Sequence, residues 1–86
     1  MSATNPMSCS FAQFLVSLGS SAMVHLGETP DPATGAKAAD PAMARHSLDV
    51  LRLLKAKTEG NLDDDEQRLL DALISEVGDK LGALGA

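Results

Sequence analysis

Few residues in this chain could do chemistry, and their spacing does not assemble them. Cys9 is the only thiol, and His25 and His46 are the only imidazoles. A thiolate nucleophile needs a base or a cation beside it, yet no charged residue occurs from Met1 through Val24. Cys9 therefore reads as an unreactive residue near a terminus. His46 stands three residues before Asp49, so one helical turn would carry two metal ligands. A zinc site needs more than that, and the others would have to come from elsewhere. His25 falls in the last turn of an expected helix, where an imidazole suits the free carbonyl groups. Both histidines read as structural. Asn61, Asp63 and Asp65 match the first ligand positions of an EF-hand loop, but Glu66 stands where the invariant Gly should be and Ala72 where the bidentate Glu should be. That cluster reads as a helix cap with a solvated acidic face. The segment Pro30-Asp31-Pro32-Ala33-Thr34-Gly35 lacks the Gly-Lys-Ser/Thr of a phosphate loop. It is a turn of distinctive sequence, and such loops are where partner contacts tend to lie. Pro30, Asp31, Pro32, Thr34 and Gly35 are thus the candidate partner loop. No paired nucleophile and base, metal constellation or glycine-rich phosphate loop is present. The expectation is a non-enzymatic chain with no catalytic, metal-binding or cofactor-binding residue.

The element that must position everything else is the run from Phe11 to Leu26, the most apolar in the chain. Read as a helix it carries two stripes. Phe11, Phe14, Leu15, Leu18, Ala22 and His25 follow one face, and Ala12, Val16, Gly19, Met23 and Leu26 the face beside it. A helix apolar nearly all round is a buried helix. It is shorter than the ~20 residues a membrane span needs, and it lacks the flanking basic residues of a peripheral membrane helix. Its small residues Gly19 to Ala22 would admit another backbone closely, either in the core of the chain itself or at the seam with a second copy. Two adjacent stripes exceed what one short hairpin covers, and large exposed apolar patches are rare on monomers. The expectation is self-association as a homodimer or higher oligomer, with Val16, Gly19, Ser20 and Met23 at the seam.

Two further helices follow. Asp40-Pro41 is a helix start, with Asp as cap and Pro at the first position. The second helix is expected near Pro41–Glu59, with Ala44, Leu48, Leu51 and Leu54 in its stripe and Met43, Val50 and Leu53 widening it. Asp63 with Glu66 forms a capping box for the third helix, expected near Asp64–Leu81. Asp63 to Glu66 also suit the positive end of its dipole. Leu70, Leu73, Ile74, Val77, Leu81 and Leu84 give its stripe. Gly78, Gly82 and Gly85 should weaken its end by up to ~1 kcal/mol each relative to Ala. The loop between the two is short, so they should pair as an antiparallel hairpin. The fold class expected is all-α: a buried apolar first helix packed on that hairpin.

With 86 residues the chain holds one domain at most. Residues 1–9 read as a disordered tail, 10–81 as a single helical domain with a connector over 28–39, and 82–86 as a frayed end. A core this small is often supplemented by oligomerisation. The net charge of −5 argues against nucleic acid as a partner, since binding it wants a basic face. Arg45, Arg52, Lys55 and Lys57 are the one counter-signal, and they support an RNA-linked accessory factor as the alternative reading. A single cysteine cannot form an internal disulfide, which suits a reducing compartment. No basic residue precedes Phe11, so the n-region of a secretory signal is missing. A cytoplasmic location is expected, with an unidentified protein partner.

Several strings taken together resemble a known family. They are Phe11-Ala12-Gln13-Phe14-Leu15, Val24-His25-Leu26-Gly27, Pro30-Asp31-Pro32, Thr34-Gly35, Ala44-Arg45, Leu48-Asp49, Leu51 to Leu54, Lys57-Thr58, Gly60-Asn61-Leu62 and the acidic run into Leu69-Leu70. The sequence resembles the small bacterial family called domain of unknown function 1844 over roughly residues 10 to 77. The resemblance implies a small helical protein with no assigned activity, cofactor or catalytic residue. It also hints at a translation context. The chain departs from the family pattern near its end, where Gly78, Gly82 and Gly85 replace bulkier residues.

Overall fold

The computed structural model describes residues 10–85. Cys9 and the expected N-terminal tail lie outside the described residues. Three helices account for the regular structure: α1 (Phe11–His25), α2 (Pro41–Lys57) and α3 (Asp64–Ala83). No strand occurs among the described residues. Each helix starts where its local chemistry supplies a cap. The Ser10 hydroxyl accepts from the Gln13 amide at 3.0 Å, and the Gln13 side chain accepts from the Ser10 amide at 3.1 Å. Asp40 accepts from the Met43 amide at 3.2 Å, with Pro41 in the first turn. Asp63 and Glu66 exchange bonds of 2.8 and 3.0 Å. Each such cap satisfies amides that the helix cannot bond itself, for typically ~1 kcal/mol.

Every helix packs on both others. The core takes three side chains from each segment: Leu15, Ala22 and Leu26; Ala44, Leu48 and Leu51; Leu70, Val77 and Leu81. No polar side chain is buried among the described residues. In α1 the buried line is Leu15, Gly19, Ala22 and, at the cap, Leu26. It draws from both apolar stripes and runs between them, while Phe14 and Val16 stay exposed at 41% and 56%. In α2 the stripe is narrower than the sequence suggests, because Met43 and Leu53 are exposed and only Leu54 joins the core edge. Of the stripe expected for α3, the outlier is Leu84, which caps the helix C-terminus and is also exposed.

The Lys55 ammonium of α2 meets the Asp71 carboxylate of α3 at 2.6 Å near the hinge. Farther from the hinge, Arg45 and Leu48 share a groove with Leu81 and Gly82. The two helices therefore run antiparallel. α3 continues through Gly78 and Gly82 to Ala83, past the expected end at Leu81. The buried Val77 and Leu81 hold its last turns, and that packing outweighs the glycine penalty.

Candidate functional site

The connector between α1 and α2 is a folded loop whose polar groups are turned on one another. At its centre the Asp31 carboxylate accepts from the Ala33 amide at 2.8 Å. The Asp31 carbonyl accepts from Thr34 and Gly35 at 3.2 and 2.6 Å, and its amide donates to Ala36 at 2.9 Å. The Thr34 hydroxyl accepts from the Ala36 amide at 3.3 Å. Asp and Thr make such local turns because a short side chain can replace a backbone acceptor. The ends of the loop are clipped together. The Asp40 amide donates to the His25 carbonyl at 2.6 Å, and Lys80 of α3 reaches Glu28 at 3.2 Å. Gly27 takes φ +80°, and a Cβ there would stand 3.1 Å from the Ala39 nitrogen. Only glycine fits both the conformation and the space.

Held in this way, the loop walls a shallow cavity of about 290 Å³ with the C-terminal half of α1, lined by Ser20, Ser21, Val24, His25, Asp31 and Pro32. A second hollow of about 460 Å³ continues behind it, past Thr34 to Pro41. Two candidates read separately from sequence, the small-residue face of α1 and the partner loop, thus meet at one surface. His25 and Asp31 are half-buried there. His46 is exposed on α2. Among the described residues no three His, Cys, Asp or Glu side chains are placed to hold a metal ion. No described helix is long and apolar enough to cross a membrane.

The four seam candidates do not share one fate. Val16 and Ser20 are exposed, and Met23 is half-buried against the core. Gly19 is a correction: it is buried inside the chain, where a Cβ would come within 2.8 Å of Leu73 of α3. Its missing side chain lets α1 approach α3, so it has no face left for a second chain.

The basic residues of α2 also divide. Lys55 is taken up by Asp71, whose carboxyl is held below its usual range chiefly by the hydrogen bond from Lys55 and also by one from Gln67. Lys57 lies about 140° round the helix from Arg52. Arg45 and Arg52 form no ion pair among the described residues, although Asp79 shares their groove. That groove, about 430 Å³ between α2 and α3, was not anticipated from sequence. The signal that pointed to it is a pair of arginines seven residues apart on α2, with Gly78 and Gly82 on the facing helix.

The family model for the domain of unknown function (DUF1844) matches residues 8–79. No curated protein and no solved structure matches the chain. The match spans all of α1 and α2 and most of α3, and the chain belongs to the DUF1844 family.

Proposed function

We propose that this chain is a non-enzymatic interaction protein that associates with itself and serves as an accessory or adaptor subunit for another protein. The observation that carries the reading is the outer face of α1. Gln13, Phe14, Val16, Ser17, Ser20 and Ser21 are all exposed, and none is charged. A small domain's surface normally carries roughly 25–35% charged residues. A helix-long uncharged strip with an exposed Phe and Val fits contact with protein better than contact with water. The folded connector with Pro30, Asp31, Pro32, Thr34 and Gly35 borders that strip and extends it with a shaped, pre-organised rim. Self-association supplements a core of nine buried side chains.

The RNA-linked alternative leans on Arg45, Arg52, Lys55 and Lys57. It is the weaker reading, because Lys55 is neutralised by Asp71 and the chain carries a net charge of −5. Sedimentation equilibrium at high micromolar concentration tests the self-association. The expected mass is a multiple of 8.9 kDa, and a chain that stays at the single-copy mass refutes it. Affinity capture with wild type and with Val16→Glu tests the α1 face. Loss of the same bound protein from the variant is expected, and an identical set of captured proteins would sink the adaptor role.

A further inference from the structure

The outer face of α1 carries a projecting ring at one level and a hollow of matching size at another. Phe14 is exposed. It is nonetheless braced, because Phe11, which packs against the core, holds its ring centroid 6.3 Å away. Seven residues on, the exposed Ser21 borders the cavity of about 290 Å³ that Val24, His25 and the Asp31-Pro32 turn wall off. Seven residues are two turns of helix, so Ser21 lies roughly 10 Å along from Phe14 and only about 20° round. Knob and hollow therefore share one row of the helix. Benzene occupies a cavity of about 150 Å³, so the hollow has room for a phenyl ring. Its lining is mostly apolar. The one carboxylate there, Asp31, is half-buried and accepts from the Ala33 amide at 2.8 Å. The edge of an aromatic ring carries positive partial charge, so a ring that enters edge-first suits that carboxylate.

The chain cannot fill its own hollow, since Phe14 and Ser21 are fixed on the same helix. We infer that a second copy fills it. Two α1 helices pack antiparallel about a two-fold axis level with Ser17 and Leu18, and the Phe14 ring of each copy enters the hollow beside Ser21 of the other. An axis midway between positions 14 and 21 sets each Phe14 opposite the other copy's Ser21. One operation then makes both contacts, as an isologous pair requires. Charge favours the same face. At a net charge of −5 two copies repel each other, and no charged residue occurs from Phe11 through Val24. α1 is thus the helix along which two copies meet without setting like charges opposite one another. A braced aromatic in a preformed hollow is also the kind of anchor that dominates interface energies. This inference rests on the self-association proposed above. Val16 stands about 160° round the helix from Phe14, outside this seam, and is left for a different protein.

Sedimentation equilibrium tests the seam, with circular dichroism as the check on folding. Phe14→Ala should weaken the dimer roughly thirtyfold or more, because it empties two hollows at once. Ser21→Arg should weaken it to a similar degree by filling the hollow, even though the added positive charge lowers the repulsion between copies. Ser21 is exposed, so this variant should keep wild-type helicity and carries the test however Phe14→Ala folds. Mixed in equal amounts, the two variants should form a dimer tighter than either makes alone, since the Phe14 of one meets the open hollow of the other. Val16→Glu should dimerise as wild type does. Ser21→Arg dimerising like wild type, a mixture no tighter than its components, or a dimer split by Val16→Glu alone would overturn this seam and leave self-association standing. A wild-type chain that stays at the single-copy mass removes both.

Discussion

Gly19 offers the sharpest test of how α1 is used. Carbon atoms in ordinary contact sit roughly 3.5–4.0 Å apart, whereas a Cβ at Gly19 would lie 2.8 Å from one Leu73 methyl and 3.7 Å from the other. For Gly19→Ala two effects oppose each other. Alanine in mid-helix gains about 0.8–1.0 kcal/mol over glycine. Leu73 must swing aside, and an off-rotamer side chain costs about 0.5–1.5 kcal/mol. Leu73 is half-buried, so its methyl has some room, and the net change should fall within about 1 kcal/mol of zero. Gly19→Arg is different, because it adds a long side chain and a charge with no partner at a buried position. Its cost of several kcal/mol rivals the whole stability of a small domain, about 5–15 kcal/mol at most. Urea unfolding followed by circular dichroism should show Gly19→Ala near wild type and Gly19→Arg unfolded. Gly19→Ala added to Leu73→Ala should show the helix gain relative to Leu73→Ala alone, which marks the clash as the opposing term. A Gly19→Arg chain that stays folded, melts as wild type does and merely loses its partner copy would refute this reasoning and return Gly19 to an intermolecular seam.

Other substitutions check the rest of the frame. Leu51→Ala should cost about 2–5 kcal/mol in urea unfolding, because Leu51 is fully buried, while Ile74→Ala should cost clearly less at its half-buried position. The depressed Asp71 carboxyl makes a pH prediction. Its pairing with Lys55 adds stability above the usual value of 3.8, and that contribution is lost as pH falls through the lower folded value. Melting temperatures taken between neutral pH and acid should therefore drop less steeply in Asp71→Asn than in wild type. Gly27→Ala should destabilise by more than about 1 kcal/mol in a thermal melt, because its backbone is left-handed and Ala39 leaves no room. Gly78→Ala, with open space before it, should instead raise stability by up to about 1 kcal/mol at concentrations where the chain is monomeric.

The parts of this fold that were legible in sequence are those decided locally. Ser10, Asp40-Pro41 and Asp63-Glu66 cap their helices through bonds spanning three residues, so spacing alone exposes them. The stripes Ala44-Leu48-Leu51 and Leu70-Val77-Leu81 stood out because charged or polar residues border each on one side, Arg45 and Arg52 in α2 and Gln67 and Asp71 in α3. In α1 no such border exists. Where nearly every side chain is apolar or small, periodicity cannot choose which face turns inward, and the choice falls to the neighbours. Leu73 selects Gly19, a fact stored on α3 rather than on α1. The Arg45 and Arg52 groove was hidden for the same reason. Each helix shows its own residues, but only the register of α2 against α3 sets two arginines over two glycines. The partner loop and the α1 face were each visible separately, and their meeting at His25 and Asp31 is again a product of how the chain folds back.

The bond from the Asp40 amide to the His25 carbonyl has a consequence for how this chain can vary. It pins together two points with fourteen residues between them, so the ring they close is fixed at its ends whatever it contains. For a flexible ring the entropic cost grows only with the logarithm of length, about 0.6 kcal/mol for each doubling. Gly27 and the Asp40-Pro41 start form a fixed socket, and residues 28–39 plug into it without contributing a side chain to the buried core. That segment can be lengthened, shortened or exchanged for another turn while α1 and α2 keep their relative placement. A change of binding preference could thus arise in the loop alone, with the helices inherited intact.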